Sequence, residues 1–154
     1  MTKDRVIGKP GALPWRIPED LKRFKNLTTG KTVIMGLNTY RTINRPLPKR
    51  NNIILSYEPM EIEGADVCTS IEEARAKAES YGKDIFVMGG AQVYEQMLPL
   101  VEKLHVSWVK KDYEGEIKFP EFKLEDWQET EREEFSEFTA VTYDRLKQTE
   151  NVNA

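Results

Sequence analysis

One cysteine, Cys68, and one histidine, His105, stand among the 154 residues. A single cysteine excludes an intrachain disulfide and fits a reducing compartment, the cytoplasm. One residue of each type cannot build a Cys/His metal centre, so no metal is expected. A Cys–His nucleophilic pair would need these two to meet. Both lie in strand-like runs, where ordinary core or surface roles are the expectation. No apolar run approaches the length that crosses a bilayer. The opening Met1-Thr2-Lys3-Asp4-Arg5 has no apolar segment of the signal-peptide kind. Positive charge is not in excess: 23 basic against 26 acidic residues give a net charge of −3. That balance offers no electrostatic case for nucleic acid or an anionic membrane. There is no internal repeat and no low-complexity linker.

What is present is an ordinary globular composition, 39% hydrophobic and 32% charged. The length fits one domain over 1–154 with a real core. Its polar end, 149–154, is expected to fray. Short continuous apolar runs at 32–36, 51–56 and 84–88 read as strands covered on both faces, hence parallel. Ser70-Ile71-Glu72-Glu73 reads as a capping box, with Ala74, Ala78 and Tyr81 continuing a helix that Gly82 can close. Another short helix follows over 91–98. Strand–helix alternation to about residue 100 argues for an α/β fold. After it, 104–111, 127–135 and 138–147 look like strands without helices between them, the last two forming an antiparallel hairpin. The acidic run over 129–137 reads as alternating exposed side chains on that edge, where charge discourages further pairing.

One carboxylate stands out. Pro18 suits the first position of a helix. Leu21, Phe24 and Leu27 then recur at helical spacing and define a buried side. Asp20 lies four residues before Phe24 and shares its face. An acid beside a phenyl ring, with Trp15 just upstream, is costly to bury unless it works, for instance by holding or relaying a proton. The alternative is a solvated first-turn acid favoured by the helix dipole.

Two strand-to-helix junctions also carry chemistry: Met35-Gly36-Leu37-Asn38-Thr39-Tyr40 and Val87-Met88-Gly89-Gly90-Ala91-Gln92-Val93-Tyr94. Glycine at a strand end lets backbone N–H groups approach a ligand, and the helix start that follows favours an anion. Two such sites can grip the phosphates of a dinucleotide, although neither has the Rossmann glycine spacing.

Taken in order, Asp4-Arg5-Val6-Ile7-Gly8, Ala12-Leu13-Pro14-Trp15, Pro18-Glu19-Asp20-Leu21, Val33-Ile34-Met35-Gly36, Arg45-Pro46-Leu47-Pro48, Arg50-Asn51-Asn52-Ile53-Ile54-Leu55-Ser56, Met88-Gly89-Gly90 and Val93-Tyr94 closely resemble dihydrofolate reductase. The resemblance covers nearly the whole chain. It implies a mixed, mainly parallel sheet flanked by helices, with a C-terminal antiparallel hairpin. It implies hydride transfer from NADPH to C6 of dihydrofolate with protonation at N5, giving tetrahydrofolate. Asp20 matches the pocket acid that holds the pterin, Trp15 the residue that positions a water, and Ser107 the hydroxyl that bonds the acid. Leu21, Phe24, Lys25, Ile43, Leu47, Met88 and Tyr94 match substrate-binding positions, and Arg50 would fork onto the glutamate α-carboxylate. The cofactor positions are Ile7, Ala12 and Leu13; Gly36, Leu37, Asn38 and Thr39; Leu55, Ser56 and Tyr57; and Gly89, Gly90, Ala91, Gln92 and Val93. The loop from Gly8 to Ile17 would be a mobile lid. The resemblance further implies a cytoplasmic monomer that binds dihydrofolate and antifolates, with neither nucleic acid nor membrane as a partner.

The chain departs from the family in three places. The family opens with an apolar central strand just ahead of the segment matching Met1 to Gly8, whereas only Met1, Thr2 and Lys3 precede Asp4. Most of that strand is therefore expected to be missing. Strands 84–88 and 104–111 would flank its place, splayed, paired directly or bridged by water. Leu37, Gln92 and Tyr57 stand where basic or small hydroxyl residues often bind the 2′-phosphate, so discrimination against NADH is expected to be modest. The final hairpin is short, and Glu116 replaces a shorter acid. Two alternatives stay open on sequence alone: a truncated, catalytically impaired nucleotide-binding module, and the riboflavin-pathway reductase of the same fold.

Overall fold

The computed structural model describes residues 1–8 and 17–146. Ala12, Leu13 and Trp15, most of the expected lid and the expected frayed tail lie outside the described residues. In chain order the elements are β1 (Val6–Gly8), α1 (Pro18–Thr28), β2 (Thr32–Gly36), α2 (Leu37–Ile43), β3 (Asn51–Leu55), β4 (Asp66–Cys68), α3 (Ile71–Ser80), β5 (Ile85–Val87), α4 (Ala91–Met97), β6 (Lys103–Val109), β7 (Ile117–Lys118), β8 (Trp127–Glu134) and β9 (Phe138–Arg145).

The apolar runs form a parallel sheet in the order β4-β3-β2-β5. Val33, Ile34, Met35, Ile53 and Ile54 expose no surface, which requires cover on both faces. Strand pleating divides them. Ile34 and Ile53 pack with Ala74, Ala78, Val93 and Met97 of α3 and α4. Val33, Met35 and Ile54 pack on the other side with Leu37, Tyr40, Ile43 and Leu47. The α3 cap forms nearly as read. Ser70 Oγ accepts from Glu73 N at 3.1 Å, while Glu73 Oε2 reaches Thr69 N at 3.2 Å, one residue ahead of the N-cap. Gly82, at φ +64°, closes the helix in the left-handed region.

A second sheet, β6-β9-β8, is antiparallel, with Ser107 opposite Ala140. Fully buried Phe138 and Val141 anchor it. On β8 the expected alternation is absent. Trp127 is buried and every later residue is exposed, because this outer strand meets solvent on both faces. Arg132 pairs with Glu129 at 2.7 Å and Lys110 with Glu134 at 3.0 Å along it, an edge guarded by charge.

The two sheets share no ladder among the described residues. Of the arrangements expected there, direct pairing of the two flanking strands does not form. The Phe86 ring of β5 and the His105 ring of β6 lie 5.9 Å apart instead. Beside β6 the Met1 ammonium donates to Ser107 O at 2.6 Å, and Met1 O accepts from Val109 N at 2.8 Å.

Helix α1 spans this seam, and its packing corrects the sequence expectation. Leu21 is 46% exposed, Phe24 and Leu27 are half-buried, and Thr28 alone is buried. The helix is held at its ends rather than along an apolar stripe. Ile17, just ahead of it, packs on Val109, Phe138 and Ala140 of the antiparallel sheet, and Thr28 lies beside the loop that enters β3. The strand-like run around Cys68 is β4, although Asp66-Val67-Cys68 carries no period of its own. Its pairing with β3 defines it.

Replacing Ser70 by alanine removes an N-cap that no tertiary contact duplicates. Urea unfolding followed by far-UV ellipticity should show a loss of about 1 kcal/mol.

Candidate active site

At the N-terminal end of α1, Asp20 is half-buried. Its backbone N–H and that of Leu21 donate to Ile17 O at 3.1 Å, closing the first turn. From β6, in the other sheet, Ser107 Oγ donates to Asp20 Oδ1 at 2.6 Å. The bond is short because the acceptor is a carboxylate. Burial pulls the pKa of the nearby Met1 ammonium down to about 6, while the charge of Asp20 opposes that shift. The expected hydrogen bond between Ser107 and Asp20 thus forms between residues 87 positions apart.

The opposite end of α1 meets Arg50. Arg50 Nη1 donates to Thr28 Oγ1 at 2.9 Å, and its Nε donates to Pro48 O at 3.0 Å. Desolvation lowers the guanidinium pKa from its ordinary value. Half-buried Ile43 and Leu47 pack beneath this corner against Val33, Met35 and Ile54. Lys25 is exposed to solvent. Two organising residues escaped the sequence reading. Asn52, only 3% exposed, accepts from Leu47 N at 2.8 Å and donates to Leu47 O and Arg50 O at 2.9 and 3.0 Å, pinning the loop that carries Arg50. Thr28 is the other. A polar side chain inside the buried run of β3 was the available signal for Asn52.

The third part is a crevice at the carboxyl ends of β2 and β5. Gly36 N donates to Gly89 O at 2.7 Å. A Cβ on Gly36 would sit 3.1 Å from Val93 Cγ2 and 3.6 Å from Gly90 N, so a side chain there would crowd the start of α4. Gly89 adopts φ +122°, and a Cβ on Gly90 would lie 3.2 Å from Thr39 Oγ1. Helices α2 and α4 start directly after Gly36 and Gly90, with no side chain capping either and no acid in either first turn. Their first N–H groups remain for an anion, at the place where open parallel sheets bind nucleotides.

The remaining cofactor positions divide. Val93 and Leu55 turn their side chains into the core around Ile34, Leu37 packs around Val33, and Ile7 packs around Met1 and Leu104. Ser56 Oγ is engaged with Glu58 O at 2.7 Å within its own turn. Tyr57 is 82% exposed, and its hydroxyl donates to Gln92 Oε1 at 3.0 Å across the rim. Asn38 is exposed, Ala91 half-buried, and none of these rim side chains is charged. Tyr94 stacks obliquely on Phe119 at 4.8 Å beside Gly89, and desolvation pushes its phenol up to about 12. Met88, half-buried, joins the cluster around Val33. Cys68 and His105 do not meet: His105 Nδ1 lies 3.3 Å from Thr142 Oγ1, and the Cys68 thiol lies near Asp66, Glu73 and Lys77.

Because the folded chain keeps the Tyr94 proton up to about pH 12, while an unfolded tyrosine loses it near 10, stability should fall as pH rises through that window. Urea unfolding should show wild type losing about 2–3 kcal/mol more than Tyr94→Phe between those limits.

Comparisons with known proteins agree on one family. The family model described as dihydrofolate reductase matches residues 1–149. The dihydrofolate reductase HdrB of Haloferax volcanii is 41% identical over 152 residues, covering 92% of this chain and 78% of that protein. The dihydrofolate reductase of Bacillus subtilis (strain 168) is 36% identical over 145 residues, covering 94% and 86%. The solved dihydrofolate reductase of Enterococcus faecalis, complexed with NADP(H) and RAB-propyl, superposes with a TM-score of 0.87 at 32% identity, covering 95% of this chain and 92% of that one.

Proposed function

The chain belongs to the dihydrofolate reductase family and reduces dihydrofolate to tetrahydrofolate with NADPH; we propose that Asp20 holds the pterin and handles the proton, while Arg50 fixes the far end of the substrate. The observation that carries this reading is the 2.6 Å bond from Ser107 to Asp20. It engages Oδ1 and orients the carboxylate, so that Oδ2 is the oxygen offered to the pterin amino and N3 groups. Asp20 then favours protonation at N5, and Trp15 would hold the water that delivers the proton. Phe24, Ile43 and Leu47 line the slot for the aminobenzoyl ring. Leu21, exposed at the mouth of α1, and Lys25 flank its entrance, and Met88 and Tyr94 border the nicotinamide side.

The crevice fits the cofactor on its own chemistry. Uncapped helix starts after Gly36 and Gly90 supply N–H groups to phosphates, and the glycines leave the room a Cβ would fill. When bound, NADPH supplies the hydride that reaches C6. Thr39 and Asn38 of α2, together with Ala91 and Gln92 of α4, would hold its phosphates, and Ser56 and Tyr57 would border the ribose. The reading also takes the enzyme as a cytoplasmic monomer that binds antifolates in the pterin pocket. No helix among the described residues is long and apolar enough to cross a membrane.

Asp20→Asn should slow hydride transfer at neutral pH by about a hundredfold or more, the usual scale of acid–base catalysis, and leave NADPH affinity nearly intact. Unchanged single-turnover rates would remove Asp20 from the mechanism. At the rim, Asn38, Tyr57 and Gln92 offer the 2′-phosphate hydrogen bonds but no cation, and Leu37 adds none, so wild type should discriminate only modestly against NADH. Leu37→Arg or Gln92→Arg should tighten NADPH more than NADH and steepen its salt dependence, read by fluorescence titration at two ionic strengths. Rejection of NADH by wild type over several orders of magnitude would contradict this account of the rim.

A further inference from the structure

We propose that Thr28 is the positioning residue for Arg50, and that its hydroxyl sets the affinity for the glutamate end of the substrate without touching it. The proposal rests on the reading that Arg50 binds the glutamate α-carboxylate.

Thr28 exposes no surface, so its hydroxyl must find its partners inside the protein. It donates to Phe24 O at 2.8 Å and accepts from Arg50 Nη1 at 2.9 Å. Its neighbour Thr29 makes the same backward bond, to Lys25 O at 2.7 Å, but is exposed. The backward bond alone is therefore a helix-end habit that a solvated threonine satisfies equally well. What distinguishes Thr28 is the cation placed on its free lone pair. The bond to Phe24 O fixes the rotamer, and the rotamer fixes where Arg50 must lie.

Arg50 is built to wait for an anion. It is half-buried, and among the described residues it has no carboxylate partner. A guanidinium carries five N–H groups. Nε is engaged by Pro48 O and Nη1 by Thr28, so the side-on fork, which needs Nε, is already used. One Nη1 hydrogen and both Nη2 hydrogens are left to receive a carboxylate. Thr28 also links Arg50 to the pterin end. Asp20 and Thr28 stand on one helix about 12 Å apart along its axis, at 1.5 Å per residue. A rigid α1 thus spaces the acid that grips one end of dihydrofolate and the hydroxyl that aims the cation at the other.

The test is a double-mutant cycle on the full chain, read with dihydrofolate and with a 2,4-diaminopyrimidine that carries no glutamate. Thr28→Val should raise KM for dihydrofolate about tenfold, the scale of one hydrogen bond to a charged group, with kcat within about twofold. Its affinity for the diaminopyrimidine should not change. Thr28→Ser should restore the wild-type KM. Thr28→Ala, which removes the hydroxyl without a branched replacement, should repeat the selective loss if the valine variant packs poorly. In the Arg50→Leu background, Thr28→Val should cost nothing further. Equal weakening of both ligands, no change in KM, or a full additional loss without Arg50 overturns the proposal. Arg50→Leu by itself tests the reading underneath: a loss that does not depend on the glutamate would remove Arg50 from the substrate site and take this role of Thr28 with it.

Discussion

The hydrogen bond from Ser107 Oγ to Asp20 Oδ1 joins two parts of the molecule that no β-ladder joins among the described residues. The parallel sheet ends at β5 and the antiparallel sheet begins at β6. Between them lie a ring contact from Phe86 to His105, the first residue of the chain on β6, and helix α1 crossing from Ile17 to Thr28. A hydrogen bond to a carboxylate contributes about 1.5–3 kcal/mol, well above an exposed ion pair of the kind that lines β8. The bond that orients the acid is therefore also a polar tie across the seam.

Two binding chemistries meet in the proposed site. On one side, the carboxyl ends of β2 and β5 approach through Gly36 and Gly89 and present uncapped helix starts, a surface of backbone donors suited to phosphates. On the other, α1 offers a carboxylate at one end and a hydroxyl-aimed guanidinium at the other, a surface of side chains suited to a pterin and a carboxylate. Charge is used sparingly in both. The dense acids of β8 belong to an exposed edge of the antiparallel sheet and to neither surface.

Legibility followed locality. The Ser70 cap, the buried β2 and β3 runs and the Gly82 stop were readable because their determinants lie within a few residues of one another. Strand β4 was legible only as a strand-like setting for Cys68, because three residues show no period until β3 pairs with them. The face of α1 was misread because Leu21, Phe24 and Leu27 would have the same helical spacing on a half-exposed face as on a buried one, and spacing cannot tell the two apart. Asp20 could be singled out from its setting, but its partner Ser107 came only from the ordered family motifs, which also separate this enzyme from the riboflavin-pathway reductase. Thr28 and Asn52 stayed hidden because Thr28 acts on a residue 22 positions away, and Asn52 works as an anchor inside an otherwise apolar strand. The side chains of Val93 and Leu55 face the core, so what the motif marks there is backbone rather than side-chain chemistry.

The most direct test of the account is single-turnover hydride transfer in Ser107→Ala, with NADPH and dihydrofolate saturating. If the Ser107 hydroxyl orients the acid, the rate should fall about tenfold, the worth of one charge-assisted hydrogen bond, while NADPH affinity holds. A Ser107→Ala enzyme that transfers hydride within twofold of wild type would contradict the claim that this bond organises the site.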